Sequence, residues 1–380
     1  MTTKKLVLIA TLLAFFSLTS QALARMTIYG EEINGEQPEI YERFYEPEEG
    51  DPAKAFIGDG YDWSGVGLSW RGSGDEWKTR WVTMISPQYF LTAKHAYPAL
   101  GADVAFHEGN SLDSPSHVYT IGDIVASFGD LCIGQLTTPI DPADNIAYYP
   151  IVNFDQTKVN YRGLSFIAYG HGGTHPSPAP TDEYYKPVVG RNQIDAFVNK
   201  TVPPSTTYCM EYNYDTPPNG LGDDECLLEL GDSGAPSFVA FGDKLAVVGI
   251  HWYTEDDPDL SGDSFVPHYI NSIVSYVPDA ETIAPIDGDA NLDGIVDVSD
   301  LGALSANYGT SGQYGVYLWD KGDFNRDASI DATDLGILAA SYGNTADWYD
   351  SPALGAVPEP SVLMMVVLGS IALSCCRRRR

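Results

Sequence analysis

Residues 56–277 form a succession of short β-rich runs separated by turn residues. Residues 81–85 and 89–92, for example, are rich in branched and aromatic side chains and are split by Ser86 and Pro87. Helical periodicity is absent until about Ile270. Short strands at regular spacing, with glycine and proline in the turns, predict a β-sandwich or β-barrels. The 37 glycines and 25 prolines of the chain agree with an all-β fold.

Length and charge limit the possible organisation and partners. The chain has 380 residues, enough for two or three domains of roughly 100–200 residues each. It carries 52 acidic against 21 basic residues, for a formal net charge of −31. Because phosphate binding needs a basic face, this balance argues against a nucleic-acid partner. Hydrophobic residues make up 44% of the chain, which allows a sizeable core.

Ser233 lies between two glycines, in the hexapeptide Gly-Asp-Ser-Gly-Ala-Pro at residues 231–236. Glycine lets the backbone adopt conformations that a Cβ would block, and it lets a substrate approach closely. Such a turn exposes the serine hydroxyl and directs backbone N–H groups at one point. The segment therefore predicts a nucleophilic serine.

Two further segments supply candidate partners for this serine. His95 follows a β-rich run, in Thr-Ala-Lys-His-Ala at residues 92–96. Asp130 opens the apolar run 131–136, where a carboxylate is costly unless it is paired or hydrogen-bonded. Taken singly, the histidine is compatible with an ordinary surface or core position and the aspartate with a turn at a strand edge. The remaining histidines have no motif and are interpreted as structural: His107, His117, His171, His175, His251 and His268.

The three segments resemble the motifs TAAHC, DIALL and GDSGGP of the trypsin/chymotrypsin family of serine proteases, in the same chain order. The resemblance implies a trypsin-like domain over residues 55–284, built of two six-stranded antiparallel β-barrels. It implies that Ser233 attacks the scissile carbonyl, that His95 transfers the proton and that Asp130 orients His95. The N–H groups of Gly231 and Ser233 would form the oxyanion hole.

The resemblance departs from the family just before the serine. Counting back six residues from Ser233 places Leu227 at the base of the specificity pocket, which predicts a preference for apolar side chains. Glu229 stands where a cysteine is usual, so an insertion would change this count. Asp232 corresponds to the acid that pairs with a freed N-terminus in many members. The sequence identifies no partner for it.

Three functions remain open at this stage. The resemblance favours a secreted serine endopeptidase that acts on a protein or peptide substrate through an acyl-enzyme. A trypsin-like domain without catalysis would serve as an adhesion or matrix-binding module. The same triad would also support an esterase. Labelling of Ser233 separates the first two, and comparison of a protein with a generic ester separates the first from the third.

The cysteines are few. Two of the five lie at the end of the chain, at 375 and 376, which leaves Cys132, Cys209 and Cys226. An odd number in an exported protein implies one free thiol. Cys132 lies in an apolar run, so it is expected to be the free and buried one. Cys209 and Cys226 are predicted to form a disulfide.

An acidic segment occurs twice, at residues 288–301 and 322–335. Oxygen ligands at loop positions 1, 3, 5, 7, 9 and 12 can surround a hard cation. The first loop offers Asp289, Asn291, Asp293, the Ile295 carbonyl, Asp297 and Asp300, and the second offers Asp323, Asn325, Asp327, the Ser329 carbonyl, Asp331 and Asp334. Position 6 favours glycine for a sharp turn. Gly294 supplies it and Ala328 does not, so the second loop is expected to be strained or weaker.

The two loops together resemble a type I dockerin, in which each copy combines a calcium loop with one helix. The resemblance implies a small α-helical, EF-hand-like module over residues 285–346 that binds two Ca²⁺ ions. It leaves two roles open: binding of a cohesin, as in cellulosomes, or service as a calcium-stabilised spacer, as outside those systems. An acidic linker rich in turns is the remaining alternative.

Both ends of the chain carry targeting patterns. Residues 1–24 have the charged start, apolar run and small-residue cleavage site of a signal peptide, and an acidic extension covers 25–54. After a linker at 347–356, residues 357–380 resemble a PEP-CTERM sorting signal with a C-terminal hydrophobic helix and four terminal arginines. The resemblance implies processing by an exosortase-type enzyme. It predicts export to the periplasm, surface or matrix of a bacterium with an outer membrane, through a precursor held transiently in the membrane; a plain C-terminal anchor is the alternative.

Overall fold

The computed structural model describes residues 26–30, 39–45, 56–71, 78–111, 113–154, 161–172, 187–202, 205–256, 259–313 and 316–349. Its α-helices are α1 (Ile270–Tyr276), α2 (Val298–Asn307) and α3 (Ala332–Ser341). Its strands are β1 (Thr27–Ile28), β2 (Val66–Arg71), β3 (Lys78–Met84), β4 (Tyr89–Ala93), β5 (Asp103–His107), β6 (Ser116–Phe128), β7 (Leu131–Leu136), β8 (Ile151–Val152), β9 (Ser165–His171), β10 (Pro187–Gln193), β11 (Ala196–Val202), β12 (Ser205–Asn213), β13 (Cys226–Leu227), β14 (Pro236–Phe241), β15 (Lys244–Asp256), β16 (Asp259–Phe265) and β17 (Thr282–Ile283).

Strands β2 to β7 close into a six-stranded antiparallel barrel in the order β2-β3-β4-β7-β6-β5. Apolar side chains fill its interior, among them Val82, Met84, Phe90, Val104 and Phe106, all fully buried. Successive side chains of a strand point to opposite faces, so apolar residues at every second position face one core. The structure is mostly β, and this first barrel confirms one of the two predicted barrels.

The second half of the β-rich region forms a nine-stranded sheet rather than the predicted six-stranded barrel. The antiparallel path runs β10-β9-β14-β15-β16-β12-β11, while β8 pairs with β15 and β17 pairs with β8, both in parallel. The thirteen-residue strand β15 is long enough to pair with β14, β16 and β8. The antiparallel path alone has seven strands, and β8 and β17 add two more, so the sheet has more than the six predicted strands and a closed second barrel is not confirmed.

Described parts of the acidic N-terminal extension pair with the second half of the β-rich region, and β1 and β13 form a separate two-stranded sheet there. Strand β1 pairs with β13 in antiparallel fashion, and Glu42 forms a single β-bridge with Val188 of β10. The Arg43 guanidinium is buried and donates to the hydroxyl of Tyr169 at 3.2 Å and to the carbonyl of His107 at 3.0 Å. Since His107 belongs to the first barrel and Tyr169 to the second sheet, Arg43 connects the two halves.

The two helices α2 and α3 follow the acidic loops and begin with equivalent caps. Asp297 and Asp331 cap them through capping boxes, each reciprocated by the aspartate three residues later. Apolar residues of this helical segment, such as Leu304 and Leu338, belong to the same buried cluster as the second sheet. A backbone bond from Gly242 to the carbonyl of Leu292 joins the β14–β15 turn to the first loop at 2.7 Å. The helical segment therefore packs directly on the β-rich domain.

Several predictions concern the ends of the chain, which lie outside the described residues. The signal peptide at 1–24, most of the linker and the whole sorting tail at 357–380 belong to this group. Within the ranges that the structure describes, no helix has the length and apolar character needed to cross a membrane. The predicted C-terminal hydrophobic helix stays a prediction.

Candidate active site

His95 and Asp130 are joined at the rim of the first barrel. His95 lies in a 3₁₀ helix, Lys94–Ala96, directly after β4, and Asp130 lies in the turn before β7. The Nδ1 atom of His95 is 2.8 Å from Oδ2 of Asp130, and the backbone N–H of His95 donates to Oδ1 at 3.2 Å. An ionised carboxylate only accepts, so the neutral ring carries its proton on Nδ1 and offers Nε2 as a base. The His95 side chain is 42% exposed and that of Asp130 only 8%.

The second sheet holds the Asp130 turn in place. The backbone N–H of Asp130 donates to the hydroxyl of Thr207 on β12 at 2.7 Å, and its carbonyl accepts from the backbone of Lys94 at 2.6 Å. Gly129 has a φ of +67°, and a Cβ there would collide with Thr207. The close approach of the Asp130 turn to Thr207 therefore requires a glycine at position 129.

Ser233 lies in a turn whose flanking glycines both have positive φ, +118° at Gly231 and +89° at Gly234. The indole of Trp81 on β3 donates to the Gly231 carbonyl at 2.9 Å. A Cβ at Gly234 would stand 2.7 Å from the hydroxyl oxygen of Thr92 on β4. The turn thus packs against β3 and β4, beside the strand end from which the histidine helix starts. The sequence-predicted serine and histidine are carried by facing segments of the two halves.

The side chain of Ser233 is half-buried. Within the described residues, neither its hydroxyl nor its backbone N–H makes a hydrogen bond to protein, and no bond joins Ser233 to His95. The serine N–H is therefore available to a ligand, as an oxyanion donor must be. Leu230, the residue before Gly231, is 77% exposed and lies on the surface next to this turn. His95 and Asp130 are therefore in contact, whereas Ser233 and His95 are not hydrogen-bonded to each other.

Asp232, whose partner the sequence leaves open, is buried beneath the turn. Its Oδ1 accepts the backbone N–H of His171 at 2.7 Å, and its Oδ2 accepts that of Glu229 at 2.8 Å. Burial raises the pKa of Asp232 to about 7, against the lowering effects of these hydrogen bonds and of the His251 charge. The two backbone amides fix the loop that leads into Ser233.

His251 lies directly behind this turn and belongs to a buried polar cluster. Its Nδ1 is 2.9 Å from Oδ1 of Asp263, and its Nε2 is 3.0 Å from the carbonyl of Tyr169. Asp263 also accepts from the hydroxyls of Tyr212 at 3.0 Å and Ser237 at 2.7 Å. Burial lowers the pKa of His251, but attraction and hydrogen bonding to Asp263 outweigh it, so the net shift is upward.

Leu227, the predicted base of the specificity pocket, lies on β13. It is half-buried, and its backbone pairs with Thr27 of the N-terminal strand. A cavity of about 560 Å³ is lined by residues of the second sheet and the first acidic loop, Arg191 among them, but neither Ser233 nor His95 borders it. That cavity is therefore separate from the candidate active site, and the role of Leu227 stays a prediction.

The predicted disulfide between Cys209 and Cys226 is wrong: the structure has both as free, buried thiols, together with Cys132. Cys209 is on β12, whose neighbours are β11 and β16, and its thiol donates to the Thr207 carbonyl at 3.4 Å. Cys226 is on β13, which pairs with β1 and packs against Gly190. The two cysteines thus lie on strands that are not neighbours. Burial raises the pKa of Cys132 to about 12, as expected for an unreactive thiol.

The first acidic loop folds around two buried carboxylates, Asp289 and Asp300. Asp289 accepts the backbone N–H groups of Asp293 at 3.2 Å and Gly294 at 3.0 Å. Asp300 accepts that of Ala290 at 2.8 Å. Burial, followed by the neighbouring carboxylates of Asp300 and Asp293, raises the pKa of Asp289 to about 7. Buried like charges at one place are the chemistry that a divalent cation would stabilise.

The second loop repeats this arrangement. Asp323 accepts the backbone N–H groups of Asp327 at 3.1 Å and Ala328 at 2.9 Å, and Asp334 accepts that of Phe324 at 2.8 Å. Ala328 has a φ of +66°, in the left-handed region that costs a residue with a Cβ about 1–2 kcal/mol. The backbone strain expected at position 6 is therefore present.

The other predicted ligands also belong to the loops' own structure. Asn291 and Asn325 donate to Asp293 and Asp327 at 2.7 and 3.0 Å. Asp297 and Asp331 cap the helices, while Ile295 and Ser329 form single β-bridges. Among the residues that the structure describes, no three carboxylate, imidazole or thiol groups form a ready metal-binding set. Calcium binding stays a prediction that the buried carboxylates support.

Sequence reasoning missed four residues of the site. Thr207 and Trp81 anchor the aspartate and serine turns, and neither is in a motif. His251 and Asp263 likewise belong to no catalytic motif, and His251 is expected from sequence to be structural. Their one signal is that each interrupts an apolar or small-residue strand, where a buried charge needs a partner.

Comparison with known proteins adds no family assignment, since no protein-family model and no curated protein sequence matches the chain. The motifs and the geometry above are what support a function.

Proposed function

We propose that the β-rich domain is a trypsin-like serine endopeptidase. The observation that carries this proposal is the 2.8 Å contact between His95 Nδ1 and Asp130 Oδ2. The His95–Asp130 pair lies beside the glycine-flanked turn of Ser233, which packs on β3 and β4. A base oriented by a buried carboxylate next to an accessible serine is the arrangement that nucleophilic catalysis requires.

The chemistry follows from these positions. Ser233 Oγ attacks the carbonyl carbon of the substrate while Nε2 of His95 takes its proton. The resulting oxyanion accepts hydrogen bonds from the N–H groups of Gly231 and Ser233. His95 then gives the proton to the leaving amine, and an acyl-enzyme remains on Ser233. Water, deprotonated by His95, releases the acid. Asp130 stabilises the imidazolium each time it forms and does not itself take up the proton.

Labelling with a fluorophosphonate tests this function. Wild-type protein should be labelled, and Ser233→Ala should not be. Ser275→Ala is the matched control, because Ser275 is an exposed serine on α1. Labelling that persists in Ser233→Ala would contradict the proposal.

A non-catalytic binding module is the second candidate, and one observation favours it. No hydrogen bond joins Ser233 to His95 in the described residues. Catalytic hydrogen bonds are often long before substrate binds, so this geometry is compatible with a peptidase as well. A folded wild-type protein that takes up no label would support the module. If labelling occurs, comparison of casein with a generic acyl ester separates a peptidase from an esterase.

An apolar preference at the specificity pocket belongs to the same proposal. It is motivated by Leu227, which carries no charge that would attract an Arg or Lys side chain. Chromogenic peptides that end in Phe or Leu should be cleaved faster than an Arg peptide. Faster cleavage of the Arg peptide would contradict the preference.

For residues 285–346 we propose a dockerin-like module that binds two Ca²⁺ ions. The buried pairs Asp289 with Asp300 and Asp323 with Asp334 support it, together with the repeated loop backbone. Calcium would supply the positive charge that these carboxylates need. Calcium titration should raise thermal stability and change the circular dichroism of the protein, and no response in either would contradict it. A pull-down with a cohesin domain separates partner binding from a spacer role.

The ends of the chain complete the proposal. The precursor is exported through residues 1–24 and sorted through residues 357–380, with removal of the tail by an exosortase-type enzyme. The protein would then reach the periplasm, cell surface or matrix. Mass spectrometry of the mature protein tests this, because an intact tail contradicts processing.

A further inference from the structure

The ring of His251 is surrounded by acceptors. The Tyr169 carbonyl next to Nε2 can only accept a hydrogen bond. Asp263, next to Nδ1, already accepts from the hydroxyls of Tyr212 and Ser237, as an ionised carboxylate does. Both ring nitrogens must then donate, so His251 carries two protons and a positive charge. The residue is 1% exposed, and this charge therefore lies in the protein interior.

The same residue is bonded to the nucleophile turn through its backbone. The N–H of Gly234 donates to the His251 carbonyl at 3.0 Å, and the N–H of His251 donates to the Ala235 carbonyl at 2.9 Å. Asp232, two residues before Gly234, is also buried. Attraction to the His251 charge acts on Asp232 and favours its ionised form. His251 therefore interacts with the turn in two ways, through backbone hydrogen bonds to Gly234 and Ala235 and through the attraction of its charge to Asp232.

We propose that His251 is a positioning residue whose buried imidazolium favours the ionised form of Asp232, and that ionised Asp232 holds the Ser233 turn in its reactive shape. Ionised Asp232 accepts the backbone N–H groups of His171 and Glu229 on its two oxygens. A protonated carboxyl would direct its own O–H at one of these donors. The role in catalysis rests on the proposed peptidase function, whereas the charge relation between His251 and Asp232 does not.

Electrostatics favours an effect of His251 on Asp232 in addition to the ion pair of His251 with Asp263. A buried carboxylate without a counter-charge takes up a proton. Burial already raises the pKa of Asp232 to about 7, with His251 present. The titratable groups that act on His251 are Asp263 from β16, to which Tyr212 from β12 donates, and Asp232 from the turn. In this arrangement, Asp232 needs no cleaved N-terminus as its counter-charge.

Carbon-13 NMR of aspartate carboxyl groups in the full chain tests the relation. The Asp232 resonance is assigned by its loss in Asp232→Asn. Its midpoint should rise by about one pH unit or more in His251→Gln, which removes the charge, and it should stay near the wild-type value in His251→Lys, which keeps it. An equal midpoint in wild type and His251→Gln would overturn the proposal.

Nitrogen-15 spectra of wild-type histidines keep the test decisive if a variant does not fold. Both ring nitrogens of His251 should be protonated at pH 7, and a neutral ring there would overturn the proposal. Fluorophosphonate labelling adds the functional readout. His251→Gln should label about fivefold more slowly at pH 7 and recover at higher pH, since a rise of one pH unit from about 7 lowers the ionised fraction of Asp232 at pH 7 from about one half to about one tenth. Absence of labelling in wild type would contradict the peptidase while leaving both NMR results interpretable.

Discussion

The hydroxyl of Thr207 accepts the backbone N–H of Asp130 at 2.7 Å, and this bond joins the second sheet to the first barrel. Both residues are buried, and they are 77 positions apart in the chain. The carboxylate that orients His95 is therefore held in place by the opposite half of the domain. Any change that separates the halves will disturb the base as well as the serine.

We expect Thr207→Val to lower the unfolding free energy by about 1–3 kcal/mol, because the Asp130 N–H loses its buried acceptor. Fluorophosphonate labelling should slow as well. Thr207→Ser should restore both, because it keeps the hydroxyl. The neighbouring Thr206→Val is the matched control, since Thr206 is exposed. Equal stability and labelling in all three variants would show that the bond does not matter.

The glycine after the serine should not tolerate a side chain. In Gly234→Ala the new Cβ would stand 2.7 Å from Thr92 Oγ1 and 3.1 Å from the Trp81 carbonyl, at a φ of +89°. We expect a loss of about 2–4 kcal/mol in stability and loss of labelling. Gly302→Ala is the control, because nothing lies near that helical glycine and alanine should stabilise α2 by up to about 1 kcal/mol. Denaturant unfolding curves measure both, and a neutral Gly234→Ala would contradict the packing.

Arg43 should contribute to stability although it lies in the acidic extension. Its guanidinium donates to the carbonyls of His107 and Gly109 and to the hydroxyl of Tyr169. Arg43→Met would leave these acceptors without their donor, at a cost of about 3 kcal/mol. Arg191→Met is the control, since this half-exposed side chain makes one long ion pair and should cost less than about 1 kcal/mol. Thermal unfolding compares the two, and similar midpoints would disprove the connecting role.

The two acidic loops offer a reciprocal exchange at position 6. Ala328→Gly should relieve a positive φ and stabilise the second loop by about 1 kcal/mol. Gly294→Ala should weaken the first loop, because its Cβ would stand 2.8 Å from the Trp348 ring. Calcium titrations should show tighter binding in the first variant and weaker binding in the second. Chelation of calcium should lower the thermal midpoint of wild type, and identical titrations in all forms would contradict calcium loops.

Acid should destabilise the domain through buried histidines. Burial lowers the pKa of His171 and that of His107 to about 4. The unfolded chain takes up these protons near pH 6.5, so stability falls as the pH drops from 6.5 to about 4, by up to about 3 kcal/mol for each histidine. His171→Met should flatten this acid limb in urea unfolding measured at several pH values. An unchanged pH dependence of the unfolding free energy in His171→Met would refute the contribution of His171.

Local chemistry was predictable from sequence because it depends on neighbouring residues. The left-handed glycines at 231 and 234, the aspartate at the start of an apolar strand and the repeated loop ligands are all short-range patterns. Short β-rich runs between turns predicted a sandwich or barrels, and the family resemblance narrowed this prediction to barrels, of which the first is present. The number of strands in the second sheet did not, since added parallel strands such as β8 and β17 carry too few residues to give a pattern.

The sequence by itself determined which residues can do chemistry: a serine in a glycine turn, a histidine, a carboxylate and two sets of oxygen ligands. The tertiary structure decided which of them meet. It joined Asp130 to His95 and to Thr207, kept Cys209 apart from Cys226, and set the His251 ring between acceptors. The physical reason is that a turn or a loop needs only local backbone preferences. A contact between distant strands depends on how the whole core packs, and burial then decides which charges must be paired.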